Sequence, residues 1–109
     1  MQTLQQTFKI EETEKKNCIL EILSDKYCRA IIESTMHKPK SAIEITAEAR
    51  IPMSTVYRRI QTLHDNNLLK TTGMITDEGK KLFLYKSKIK GIQSRYNDGN
   101  TEVELILNQ

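Results

Sequence analysis

After Met1, the first sixteen residues carry only Leu4, Phe8 and Ile10 as large apolar side chains, among polar and charged ones. That pattern predicts a polar N-terminal arm over residues 1–16, loosely held or forming a short strand. From Asn17 the apolar positions become dense: Ile19, Leu20, Ile22 and Leu23, then Tyr27, Ala30, Ile31 and Ile32. Ser24 and Asp25 supply an N-cap and an acid for a first turn, both of which satisfy or complement orphan N–H groups. A helix over about 25–36 places Tyr27, Ile31 and Ser34 along one face, with Cys28, Ile32 and Thr35 beside it. Lys38-Pro39-Lys40 stops it, because the residue before a proline is pushed out of the helical region.

Ser41-Ala42-Ile43-Glu44 spells a capping box, in which hydroxyl and carboxylate each satisfy the other residue's backbone N–H. The helix it opens is short, with Ala42, Ile45 and Ala49 as its apolar stripe. Arg50, Ile51, Pro52 and Met53 then lead to the next expected cap, Ser54. The following helix, about 54–66, buries Val56, Ile60 and Leu63 and turns Thr55, Arg58, Arg59, Gln61 and Thr62 outward. Asn67 is placed to end it in the left-handed conformation.

Beyond that point the period changes to two. Leu68 to Thr76 predicts a strand, Asp77-Glu78-Gly79 a tight turn and Lys80 to Lys88 the returning strand, with Leu82 and Leu84 opposite in face to Lys81, Phe83 and Tyr85. A second hairpin follows: Ile92, Ser94 and Tyr96 alternate, Asn97-Asp98-Gly99-Asn100 turns, and Thr101, Val103, Leu105 and Leu107 alternate again. The expected fold class is α+β, a winged helix-turn-helix with a three-helix core and a β-hairpin wing over 17–90. Residues 91–109 form a C-terminal β-hairpin extension, a candidate for dimerisation.

The stretch Glu44-Ile-Thr-Ala-Glu-Ala-Arg-Ile-Pro-Met-Ser-Thr-Val-Tyr-Arg-Arg-Ile-Gln-Thr-Leu63, with Asn67-Leu68-Leu69, resembles the helix-turn-helix of arsenical-resistance-repressor-type (ArsR-like) winged-helix regulators. It is most similar to the small archaeal members. The likeness covers roughly residues 20–90, and its most specific part is the Ser54-Thr55-Val56 entry into the helix bearing Arg58 and Arg59. It implies a transcriptional regulator. Two positions depart from the pattern: Arg50 stands where such proteins usually have Gly, and Thr46 where Ala is common. An Arg50 held at positive φ costs on the order of 1 kcal/mol. Cys18, Cys28, His37 and His64 lack the paired-thiolate spacing of the metal-sensing relatives, so no metal and no cofactor is expected.

Charge sharpens the picture through its distribution. The formal net charge of the 109 residues is only +3, yet residues 38–96 hold twelve Lys and Arg against five acidic residues. Both flanks carry more acid than base. A basic middle between acidic ends suits one face turned to a polyanion. The outward Ser54, Thr55, Arg58, Arg59, Gln61 and Thr62 are all hydrogen-bonding types suited to base edges in a major groove about 12 Å wide, and Tyr57 is placed for core or phosphate contact. Lys80 and Lys81 follow the wing turn and suit phosphates, as do Lys40 and the N–H groups behind Ser41. The expected partner is double-stranded DNA. The alternative is a winged-helix protein–protein interaction module in a transcription-related complex.

Other classes have little to build on. Neither histidine sits in a nucleophile–base motif and the four glycines form no phosphate-cradling loop, so the chain does not read as an enzyme. No segment approaches the ~20 apolar residues of a membrane span. Met1-Gln-Thr-Leu-Gln-Gln lacks the basic start and apolar stretch of a signal peptide, so a cytoplasmic protein is expected. Cys18 and Cys28 lie among apolar residues and are expected to pack in the interior. The apolar finish of the last strand, Val103, Leu105, Ile106 and Leu107, suggests an edge needing a cover, hence a homodimer through the first helix or the last hairpin. The sequence does not tell whether a small-molecule effector acts.

Overall fold

A computed structural model describes residues 5–109. Strand β1 (Thr7–Ile10) leads into helix α1 (Thr13–Ser24), followed by α2 (Lys26–Ser34), α3 (Ala42–Ala49) and α4 (Met53–Asp65). Two hairpins follow: β2 (Leu69–Ile75) with β3 (Lys81–Ser87), then β4 (Ile89–Asn97) with β5 (Asn100–Leu107). Of the N-terminal segment expected to be an arm or short strand, residues 1–4 lie outside the described residues. The remainder contains β1 and the first turn of α1. Ile10 pairs across from Val103 and is buried, which is what holds this strand.

The dense apolar run from Asn17 is divided at Asp25, not capped by Ser24 as expected: Ser24 is the last residue of α1, and its hydroxyl donates to the Glu21 carbonyl. Asp25 has extended backbone, and its carboxylate accepts the Cys28 N–H at 2.9 Å, so it closes α1 and caps α2. Ser41 and Glu44 form the expected capping box at the start of α3. Arg50 ends α3 in the left-handed region, at φ 56° and ψ 46°, so the turn keeps its usual shape with a residue that bears a steric cost there. Buried Ile51 anchors this turn. Asn67, at φ 61°, closes α4: its N–H donates to the His64 carbonyl while that of Leu68 reaches Leu63.

One apolar cluster joins all four helices to both sheets. Ile19 and Ile22 of α1, Ile31 of α2, Ile45 of α3 and Val56 and Leu63 of α4 are almost fully buried, with Leu68 just before β2 and Ile89 and Val103 from the strands. Cys28 belongs to this core, and burial together with the neighbouring Asp25 pushes its thiol up to about 12. Cys18, by contrast, is exposed, a correction to the expectation that both cysteines pack inside. It lies on the outer side of α1, one position before the fully buried Ile19.

β2 and β3 pair antiparallel from Leu69↔Ser87 out to Ile75↔Lys81, and Lys40 adds a backbone bridge to Tyr85 on the open side of β3. The second sheet has the order β1-β5-β4. β5 is therefore the central strand, covered on its far side by β1 of the same chain. The expectation that β5 is an open edge needing a partner is thereby corrected.

Candidate nucleic-acid interface

The thirteen residues of α4 divide by helical geometry into a buried stripe and an exposed ridge. Val56, Ile60 and Leu63 face the core; Ser54, Arg58 and Gln61, spaced near one turn, lie on the opposite side and are exposed. Arg58 pairs with no described carboxylate. Ser54 is not the helix cap: α4 begins at Met53, with Pro52 at the cap position and no side chain closing the first turn. The Ser54 hydroxyl therefore stands outward in the first turn. Gln61 donates its amide to Asp65 at 2.7 Å, and the Thr62 hydroxyl donates to the Arg58 carbonyl at 3.2 Å. Thr55 is half-buried beside them.

Arg59 does not join this ridge, a correction to the expectation that both arginines project away from the core. One helical step rotates it toward α2, where its Nε donates to the Asp25 carboxylate at 2.8 Å. Its guanidinium carbon lies 5.7 Å from the centre of the Tyr27 ring. Both charged side chains are partly shielded, at 30% and 27% exposure. Burial alone would raise the Asp25 carboxyl, but hydrogen bonds from Cys28 and Arg59 outweigh it and hold the group below its ordinary value.

On the other flank of α4, Tyr57 is 51% exposed. It lies near Tyr85 of β3, whose hydroxyl is raised by burial first and by Tyr57 second. Lys40 is engaged rather than free: its ammonium pairs with Glu48, and its side chain is only 17% exposed. That pairing in turn lowers the Glu48 carboxyl. Ser41 is buried, with its hydroxyl and its N–H both used by Glu44 at 3.2 and 3.1 Å. The capping box thus occupies two of the N–H groups that sequence reasoning assigned to phosphate.

At the wing turn, Gly79 takes φ 80° and its N–H donates to the Thr76 carbonyl at 2.8 Å. Lys80 and Lys81 are exposed, and the Lys81 ammonium stands 5.0 Å from the centre of the Phe83 ring. Asp77 and Glu78 occupy the same turn. The arrangement brings Ser54, Tyr57, Arg58 and Gln61 onto one accessible side of α4, and engages Lys40, Ser41 and Arg59 in contacts within the protein. Sequence reasoning did not find the Arg59–Asp25 link. Asp25 was legible only as a first-turn acid behind an expected Ser24 cap, and its second partner lies thirty-four residues away, set by how α2 packs on α4. Exposed Ile43 of α3 and Met53 of α4 carried no sequence signal that would single them out. Among the described residues, no helix is long and apolar enough to cross a membrane, and no cluster of His, Cys, Asp and Glu has the geometry to hold a metal ion.

No protein-family model matches the chain, and no curated protein matches it. Similar folds occur among solved structures. NolR from Sinorhizobium fredii superposes with a TM-score of 0.57 at 16% identity, over 68% of this chain and 69% of that one. A possible transcriptional regulator from Methanosarcina mazei Go1 superposes with a TM-score of 0.54 at 16% identity, over 73% of each chain. The chain has the α+β winged-helix fold of these two proteins.

Proposed function

We propose that the protein binds double-stranded DNA sequence-specifically as a cytoplasmic, homodimeric transcriptional regulator of ArsR-like, archaeal type. In this reading residues 17–90 are the DNA-binding unit, α4 enters the major groove and the wing residues from about 76 to 81 meet phosphates. The observation that carries it is the exposed Ser54–Arg58–Gln61 ridge, on a helix whose opposite face is fully buried and whose Arg58 is unpaired among the described carboxylates. The fold shared with NolR and with the possible transcriptional regulator of Methanosarcina mazei supports the same reading. Arg58 is the proposed base reader, since a guanidinium meets guanine bidentately. Ser54, Thr55, Tyr57, Gln61 and Thr62 flank it. Lys80 and Lys81 supply sequence-independent attraction. Arg59 acts from behind, by fixing α4 against α2.

Selection from random DNA at several salt concentrations tests the proposal. A single enriched motif, bound with an affinity that falls as salt rises, is the expected result. No enrichment above the starting pool would contradict it. A second reading, a protein–protein interaction module, draws on exposed apolar residues of the helix-turn-helix, Ile43 of α3 and Met53 and Tyr57 of α4, which are 63%, 42% and 51% exposed. Capture of a protein partner that survives high salt, without any DNA retardation, would favour it.

A further inference from the structure

β4 is a nine-residue strand at the open edge of the second sheet. Which of its backbone groups are free follows from the alternation of an antiparallel ladder. The Leu107 N–H donates to Gln6, on the β1 side of β5, whereas that of Asn108 donates to Lys88, on the β4 side. Ile106, Glu104 and Glu102 therefore face β4 and are bonded to Gly91, Gln93 and Arg95, their register partners. Ile92, Ser94 and Tyr96 must then aim their N–H and C=O groups away from the sheet. Ile89 is removed from this edge, because the Ser87 hydroxyl takes its carbonyl and its N–H, at 2.6 and 3.2 Å. The ladder shift between Ile89 and Gly91 closes that end. The free edge is thus three residues' worth of paired donors and acceptors, centred on Ser94.

The two ends of this edge are unlike. At one end Ile92 and Lys90 border a groove of about 810 Å³ whose lining combines apolar Leu23, Ala30 and Met36 with charges of both signs, Arg29 against Glu33 and Glu48. At the other end stands Tyr96, 76% exposed and the most exposed large apolar residue among those described, followed by Asp98 in the hairpin turn. The apolar part of this groove suits an aromatic knob, Lys90 on the strand itself suits an acid, and the two ends of the strand are in that sense complementary.

We propose that β4 is a self-pairing edge: two copies join antiparallel about a two-fold axis through Ser94. Only this centre uses all three free residues of each copy. It sets Ile92 opposite Tyr96 of the second copy, Ser94 opposite its equivalent, and Lys90 opposite Asp98 of the second copy. Each tyrosine enters the other copy's groove, and each aspartate meets a lysine. The contact is isologous, with the same patch serving both sides, and it joins the two three-stranded sheets into one. This inference deepens the homodimer of the preceding reading; the pairing itself requires no DNA.

Sedimentation equilibrium without DNA tests it, so a failure here is separate from a failure to bind DNA. The wild type is expected to be a dimer at tens of micromolar. Ser94→Pro removes an edge N–H that the chain's own ladder does not use, and should raise the dimer dissociation constant at least tenfold with an unchanged circular-dichroism spectrum. Lys90→Glu, which sets two acids opposite each other, should weaken the dimer in the same direction, and adding Asp98→Asn should restore part of the loss. In a Cys18→Ser background, Ser94→Cys should form a disulfide-linked dimer on treatment with diamide, because the two thiols face each other across the axis. A monomeric wild type, or a dimer unmoved by Ser94→Pro and by Lys90→Glu, would overturn the proposal.

Discussion

Arg59 of α4 and Asp25 at the head of α2 meet at 2.8 Å, and the same carboxylate accepts the Cys28 N–H at 2.9 Å. One carboxylate thus ends one helix, starts the next and holds the helix proposed to read DNA. Its neighbour Arg58 is free of any described carboxylate. Adjacent residues of identical chemistry therefore have different jobs, set by the turn of the helix between them.

This separation has a direct consequence for stability. Arg59→Ala should lower the melting temperature by several degrees, on the order of 1 kcal/mol for a partly shielded pair whose guanidinium also packs on Tyr27. Arg58→Ala should leave it within a degree or two. Thermal melts of both variants, followed by circular dichroism, decide the matter; equal losses would contradict the assignment.

Acid should remove the Arg59–Asp25 contribution. Because the Asp25 carboxyl is held below its ordinary value of 3.8, its stabilisation is fully present above that pH and is lost as pH falls through the lowered value. Asp25→Asn keeps a capping side chain but drops the charge. The difference in melting temperature between wild type and Asp25→Asn should be constant near neutrality and shrink below pH 3.8. A gap that widens in acid would show the opposite linkage.

Arg50 supplies a test in the stabilising direction. It holds φ 56°, where a side chain crowds its own backbone and Gly does not. Arg50→Gly should raise stability by up to about 0.5 kcal/mol in urea unfolding, net of the entropy that Gly adds to the unfolded chain. A loss of stability would mean that the arginine side chain contributes more than its backbone costs.

The wing makes a different demand on DNA. Ala at both Lys80 and Lys81 should weaken binding to specific and random duplexes by similar factors. The slope of log affinity against log salt should fall by about one unit for each phosphate that a lysine no longer neutralises. An effect confined to the selected sequence would place base recognition on the wing instead.

Much of the fold was legible because its signals are local. The Ser41–Glu44 box, the end of α4 at Asn67, the Asp98-Gly99 turn at φ 51° and 77°, and the change of period after Leu68 each depend on a few neighbouring residues. What was not legible is what distant segments decide. β1 covers β5, so Val103 and Leu105 are central rather than edge residues, and nothing in the alternation of β5 says which strand lies beside it. Cys18 and Cys28 have similar apolar neighbours in sequence, yet one is exposed and one buried, because helix phase and the break at Asp25 separate them. At the candidate site, the ridge residues followed from periodicity. The capture of Arg59 by Asp25 and of Lys40 by Glu48 followed only from packing.

The central claim is that α4 reads bases through Arg58. The most direct test is the affinity of wild type and Arg58→Ala for the selected duplex and for a scrambled one, by fluorescence anisotropy at a single salt concentration. Removing a bidentate guanine interaction of about 1–3 kcal/mol predicts a roughly five- to hundredfold weaker complex with the selected duplex and a much smaller change on the scrambled one. Equal weakening on both duplexes, or none on either, would contradict the account.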